Sequence, residues 1–171
     1  MPRVVSEPPS LLRSFSETAV ELGLSPGAKV VLQRVRLASL DEAANLRIAP
    51  AAPVLELRRV RSFDAVPICI DHAVMAVSRV GPLVSLDLTD RSLYTALEQL
   101  CGIRIARSSY VVQAIAVDRE ASELLTIDVG DPVLAGVEVA YDDQGVPVIF
   151  ARLLYRGNAY RFEATLYRGT H

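Results

Sequence analysis

Arg59 and Arg61 stand two residues apart in PVLELRRVRSFDAVPICID, residues 53–71, the segment with the most chemical content in the chain. The segment reads as a strand over 54–62, a short turn at Phe63-Asp64-Ala65 and a return strand from Val66. Side chains alternate faces along a strand, so Arg59 and Arg61 share one face and Arg58 takes the other. Two guanidiniums on one face make a fork suited to a carboxylate or a phosphate. On the return strand Cys69 and Asp71 share one face, and Ile68 and Ile70 the other. The same pattern also fits solvated arginines paired with Glu56 or Asp64.

Bulk properties narrow the field. At 171 residues, one domain with a substantial core is expected. The chain is 51% hydrophobic and 22% charged, an ordinary balance for a globular protein. Aromatics make up 6% with no Trp, which argues against a stacking platform for single-stranded nucleic acid. A net charge of −2 and a pI near 5.7 argue against the basic face of a domain that grips DNA or RNA unaided. Cys69 and Cys101 lie apart with no metal spacing around them, so no metal or cofactor is implied and a reduced, cytoplasmic setting is the simplest reading. No apolar run reaches the length of a membrane span.

The elements that must position the arginines follow from local signals. Residues 1–12 carry three prolines and read as a tail or linker ahead of a domain over 13–171. Ser14 or Ser16 caps a short helix ending at Gly23, with a turn expected at Pro26-Gly27. A strand over 29–37 leads to Ser39 and Glu42, a capping-box pair opening a two-turn helix. Thr89 or Asp90 is placed to cap a helix carrying Leu93, Leu97 and Leu100 and closed by Gly102. Strands are expected over 105–116, 132–141, 146–155 and 160–167, with an Asp118-capped helix after the first of them. LRIAPAAPVL (46–55) is echoed by LTIDVGDPVL (125–134), and Val-Pro recurs at 66–67 and 146–147. Two copies of helix, strand, turn and strand imply an α+β fold, a mainly antiparallel sheet with helices packed on it.

The ordered set SFSETAVELGL, DEAANLRI, PVLELRRVR, DLTDRSLYTALEQLCG, LLTIDVGDPVL and the closing YRGNAYRF resembles the effector-binding (UTRA) domain of the HutC branch of the GntR family of bacterial transcription regulators. That resemblance covers roughly residues 12–168. It implies a chorismate lyase-like fold, a homodimer, and DNA contact only through a separate winged helix-turn-helix domain that this chain does not carry. It also implies a small anionic effector, with Arg59, Arg61, Ser92, Tyr94 and the hydroxyls of Ser14 and Ser16 around its charged end. Asp71 would face the rest of the ligand, and Tyr155 matches another pocket residue. The family pattern has an acidic residue where this chain has Ile149, and an Asp where it has Asn158. Ile149 removes a carboxylate that could hold sugar hydroxyls and leaves an anionic ligand as the expectation.

Two other functions fit the fold. A lyase-like enzyme acting on a small carboxylate would need a general base such as Asp71 or Glu138, but the chain has no nucleophile elbow, metal-ligand spacing or phosphate loop. His72 reads as a satisfied strand residue and His171 is the last residue, so neither marks a catalytic site. A dimerisation module with a vestigial pocket is the third reading.

Overall fold

The computed structural model describes residues 5–7 and 12–163. Its frame is a six-stranded antiparallel sheet in the order β2-β3-β4-β7-β6-β5, built from β2 (Pro26–Leu37), β3 (Pro53–Phe63), β4 (Val66–Ala76), β5 (Ile105–Ala116), β6 (Pro132–Asp142) and β7 (Pro147–Arg156). A separate pair, β1 (Val5–Glu7) and β8 (Tyr160–Phe162), runs parallel. The stretch read as a tail therefore contributes a strand. Residues 164–167, expected to extend the last strand, lie outside the described residues.

The sheet order is a palindrome of the chain order, as the echo between 46–55 and 125–134 implies. Each half contributes an outer strand, a helix and a hairpin: β2, α2 (Leu40–Leu46), β3 and β4, then β5, α5 (Arg119–Leu125), β6 and β7. The helices match in detail. Ser39 and Asp118 cap them by accepting from the amides of Glu42 and Ala121. Both end on a non-glycine residue in the left-handed region, Arg47 at φ 53° and Thr126 at φ 56°. The two copies meet where β4 pairs with β7.

Each hairpin carries a bulge beside its Val-Pro step. In β3–β4 the register slips by one between Arg61 and Ser62, opposite Pro67 and Cys69; in β6–β7 it slips between Ala140 and Tyr141, opposite Ile149 and Pro147. Proline has no N–H to give the ladder, so a bulge beside it removes an awkward pairing. The first slip sets the site. It places Arg59 opposite Asp71 and Arg61 opposite Cys69.

The faces of the sheet differ. Helices α2 and α5 cover one, burying Val54, Val74 and Phe150 against Ala43 and Leu46, and Val60, Ile70 and Val133 against Ala121 and Leu125. The other face lies under α1 (Phe15–Glu21), α3 (Val77–Val80), a single 3-10 turn (Gly81–Leu83) and α4 (Leu93–Cys101). Two local expectations are corrected. Pro26-Gly27 is not a turn but the first step of β2, because the chain already reverses at Leu22-Gly23, where Gly23 has φ 68°. The cap of α4 is Ser92 rather than Thr89 or Asp90, since the Asp90 carboxylate accepts from the Ala28 amide at 2.8 Å and ties this loop to β2.

Candidate functional site

Between the second face and its helices lies a cavity of about 510 Å³. Its floor is made of alternate residues of successive strands: Arg59 and Arg61 from β3, Cys69, Asp71 and Ala73 from β4, Ile149, Ala151, Leu153 and Tyr155 from β7, Glu138 from β6, and Ser108, Tyr110 and Val112 from β5. Leu12 to Phe15 and the start of α4, Ser92 to Tyr94, form the walls, with Phe162.

At one end the arginine fork is almost wholly buried, Arg59 at 1% exposure and Arg61 at 6%. Arg59 donates through one terminal nitrogen to Asp71 Oδ2 at 2.9 Å and through the other to the Arg91 carbonyl at 3.0 Å. Arg61 reaches the same Asp71 oxygen at 3.5 Å and Ser16 Oγ at 3.4 Å, and its guanidinium lies 4.4 Å from the centre of the Phe15 ring. Phe15 stacks in turn on Phe63 at 4.2 Å. The Nε atoms of Arg59 and Arg61 are both buried, without a hydrogen-bond partner among the described residues. Two cations thus share one carboxylate. Burial, and then the neighbouring charge of Arg59, lowers Arg61 to about 10, so its charged form is penalised where it sits.

Glu56 and Asp64, the other partners considered for these arginines, are engaged elsewhere. Glu56 binds Arg34, Arg36 and His72 on the opposite face, and Asp64 accepts from the Ser25 amide. Arg58 also points to that face and pairs with Glu120. His72 is a satisfied strand residue, bonded to Glu56 at 2.8 Å.

The other expected residues gather at the cavity with distinct local duties. Ser92 Oγ accepts from the Thr95 amide and Ser14 Oγ from the Glu17 amide, so both cap helices, while their hydroxyl protons remain available to a ligand. Tyr94 lines the wall. Ser16 stands behind the cavity lining and touches it through Arg61. Tyr155 is buried, stacks on Tyr160 at 4.1 Å and receives a hydrogen bond from Tyr110 at 3.3 Å. Burial pushes the Tyr155 phenol and the Cys69 thiol up, which keeps both protonated. Ile149 forms apolar floor, and Asn158 accepts from Arg156 instead of facing the cavity lining.

Sequence reasoning missed Ser108 and Tyr110 and weighed Glu138 only as a base. The Ser108 hydroxyl donates to Glu138 at 2.6 Å. Tyr110 lies over Gly136, where a Cβ would come within 2.6 Å of its hydroxyl, so the glycine makes room for the ring. The signal was present in the duplication. Continued without a gap, the alignment of 46–55 with 125–134 sets Glu138 at the position equivalent to Arg59. Among the described residues no cluster of three metal-ligating side chains occurs, and no helix is long and apolar enough to cross a membrane.

A cavity on one sheet face, walled by helices and holding a buried cationic cage, defines a small-molecule binding domain. The chain belongs to the UTRA domain family, whose model matches residues 21–161, and is homologous to the effector-binding domains of GntR-type transcription regulators. It is 26% identical to the HTH-type transcriptional repressor NagR of Bacillus subtilis (strain 168), over 88% of this chain and 62% of that protein. It is 29% identical to the HTH-type transcriptional repressor PhnF of Mycolicibacterium smegmatis, over 90% of this chain and 63% of that protein. The chain thus spans less than two thirds of the length of these relatives. The crystal structure of the effector domain of PhnF from Mycobacterium smegmatis superposes with a TM-score of 0.86 at 27% identity, covering 96% of this chain and all of that one.

Proposed function

We propose that this domain senses a small anionic metabolite, phosphorylated or carboxylated, and that Arg59 and Arg61 hold its charged end. The observation that carries this reading is the unbalanced cage. Among the described residues, two buried guanidiniums share the one carboxylate of Asp71, and two buried Nε groups have no partner. Such an arrangement is costly when empty and is relieved by an arriving anion. Ser92 and Tyr94 at the start of α4, with Ser14 and Ser16, supply hydroxyls around that end, and Asp71 and Tyr155 border the rest of the ligand. The domain acts as a cytoplasmic homodimer, binds its ligand without turning it over, and passes occupancy to a separate winged helix-turn-helix reader that contacts DNA.

Calorimetry and thermal shift with inorganic phosphate, phosphate monoesters and small carboxylic acids test this directly. Saturable binding with stabilisation is expected, and the ligand should be recovered chemically unchanged. No binding across the panel would overturn the sensor reading in favour of a dimerisation module. Conversion of a bound compound would favour an enzyme.

A further inference from the structure

Across the sheet from the cage, the floor of the cavity changes character. The pairing register sets Asp71 beside Leu153 and Ala73 beside Ala151, and carries Leu153 on to Gly136. The Tyr110 ring lies over Gly136, and Phe162 packs against that ring with centroids 5.2 Å apart. Strand β7 presents Ile149, Ala151 and Leu153 to the cavity before Tyr155, whose phenol oxygen accepts from Tyr110 at 3.3 Å. A hydrocarbon strip thus runs from the cage across β7 to the Tyr110 ring. It spans two interstrand steps, from β4 to β6, or about 10 Å. Ala73 and Ala151 face each other across β4 and β7 with short side chains, which makes the strip a trough at that point.

We propose that the effector carries a hydrocarbon body on its anionic end, laid over Leu153 in the trough at Ala73 and Ala151, and that Ala151 is the specificity-determining residue that admits it. This rests on the anion-sensing reading above and adds the chemistry of the rest of the ligand. A ligand held by its charged end at Arg59 and Arg61 reaches Leu153 next, because Leu153 is the cross-strand neighbour of Asp71. An alkyl group there takes apolar surface out of water on both sides of the contact. A polyol would give up the hydration of its hydroxyls against side chains that return no hydrogen bond. Glu138 and Ser108, bonded to each other at 2.6 Å, lie one strand beyond Ala151 and mark the far limit of the strip.

The test is calorimetry on the full chain with methyl, propyl and pentyl phosphate, which share one charged group, and with glycerol 3-phosphate as the hydroxylated match to propyl phosphate. Each methylene should tighten binding about fourfold, and propyl phosphate should bind about tenfold more tightly than glycerol 3-phosphate. Ala151→Leu fills the trough and should flatten the series, so that pentyl phosphate gains nothing over methyl phosphate. Ala151→Val, a smaller filling, should flatten it in part. Thermal unfolding verifies that each variant folds, and the wild-type series decides alone if neither does. Flat affinities along the wild-type series, tighter binding of glycerol 3-phosphate than of propyl phosphate, or the full gain per methylene in both folded variants overturns the proposal with the anion site intact. If neither methyl phosphate nor inorganic phosphate binds, the anion site falls and this proposal with it.

Discussion

Replacing Arg61 by methionine should cost the empty domain nothing in stability and yet strip it of most anion affinity. The two effects have separable magnitudes. Lowering a guanidinium from its ordinary value to about 10 corresponds to about 3 kcal/mol against its charged form, from burial and from Arg59. What Arg61 gains in return is modest. Its contacts to Asp71 and Ser16 are long, at 3.5 and 3.4 Å, and its position over Phe15 is worth about 1–2 kcal/mol. Methionine fills much of the same volume without charge and leaves Arg59 with Asp71 as a neutral pair. Net stability should therefore hold or rise by about 1 kcal/mol. Affinity should move the other way: each charge-assisted hydrogen bond lost is worth about 1.5–3 kcal/mol, so phosphate binding should weaken ten- to a hundredfold or more. Asp71→Asn should do the reverse, destabilising the empty domain by leaving two buried cations unbalanced while strengthening phosphate binding. Arg58→Ala, which disturbs only the pair with Glu120 on the opposite face, should leave affinity unchanged. Urea unfolding and phosphate titration at fixed ionic strength and pH 7.5 read both quantities. An Arg61→Met variant that loses more than about 2 kcal/mol of stability but binds phosphate like the wild type would show that the fork is structural.

Two further outcomes concern the opposite face and the assembly. Hydrogen bonds from Arg36 hold Glu42 and Glu56 down to about 2 in spite of burial. A carboxylate depressed in the folded state stabilises above its unfolded pKa, near 4.5, and loses that contribution as pH falls towards 2. Glu56→Gln should therefore cost about 2 kcal/mol at pH 7 and clearly less at pH 3 in urea unfolding; an equal loss at both would refute the ion-pair account. Val111, Ile115 and Val137 form an exposed apolar patch on β5 and β6, on the face away from the cavity, and a second copy would cover it. Sedimentation should show a dimer at micromolar concentration and a monomer for Val111→Lys with Val137→Lys; a monomeric wild type, or a variant that stays dimeric, would count against that interface.

Most of the frame was legible because it is locally encoded. Ser39 with Glu42, and Asp118 before its helix, are caps whose partners lie within one turn, and Asp64-Ala65 is a two-residue hairpin turn whose residues both adopt positive φ. The errors arose where distant contacts outweighed local preference. Asp90 looks like a helix cap, but its carboxylate serves Ala28, 62 positions earlier in the chain. The partner of Arg59 was readable only as an option, because a regular hairpin closed at Asp64-Ala65 would set Arg59 opposite Ile70. The bulge beside Pro67 moves it to Asp71. Burial of the fork was likewise beyond the strand pattern, since it depends on Phe15 and Arg91 arriving from either side.

The duplication bears on how the two ends of the cavity can change independently. Arg59 and Asp71 are cross-strand neighbours beneath the start of α4, bound to each other, and Arg59 also donates to the Arg91 carbonyl, so altering either one leaves a buried charge without its partner. Glu138 is only half buried and holds a serine hydroxyl from the edge strand β5. Strands β4 and β7 separate it from Arg59. A substitution at 138 therefore leaves the contacts of the cage in place, whereas one at 59 breaks them. Copies of one hairpin thus supply a buried end, where Arg59 and Asp71 hold each other, and a half-buried end at Glu138 that lies outside that pair.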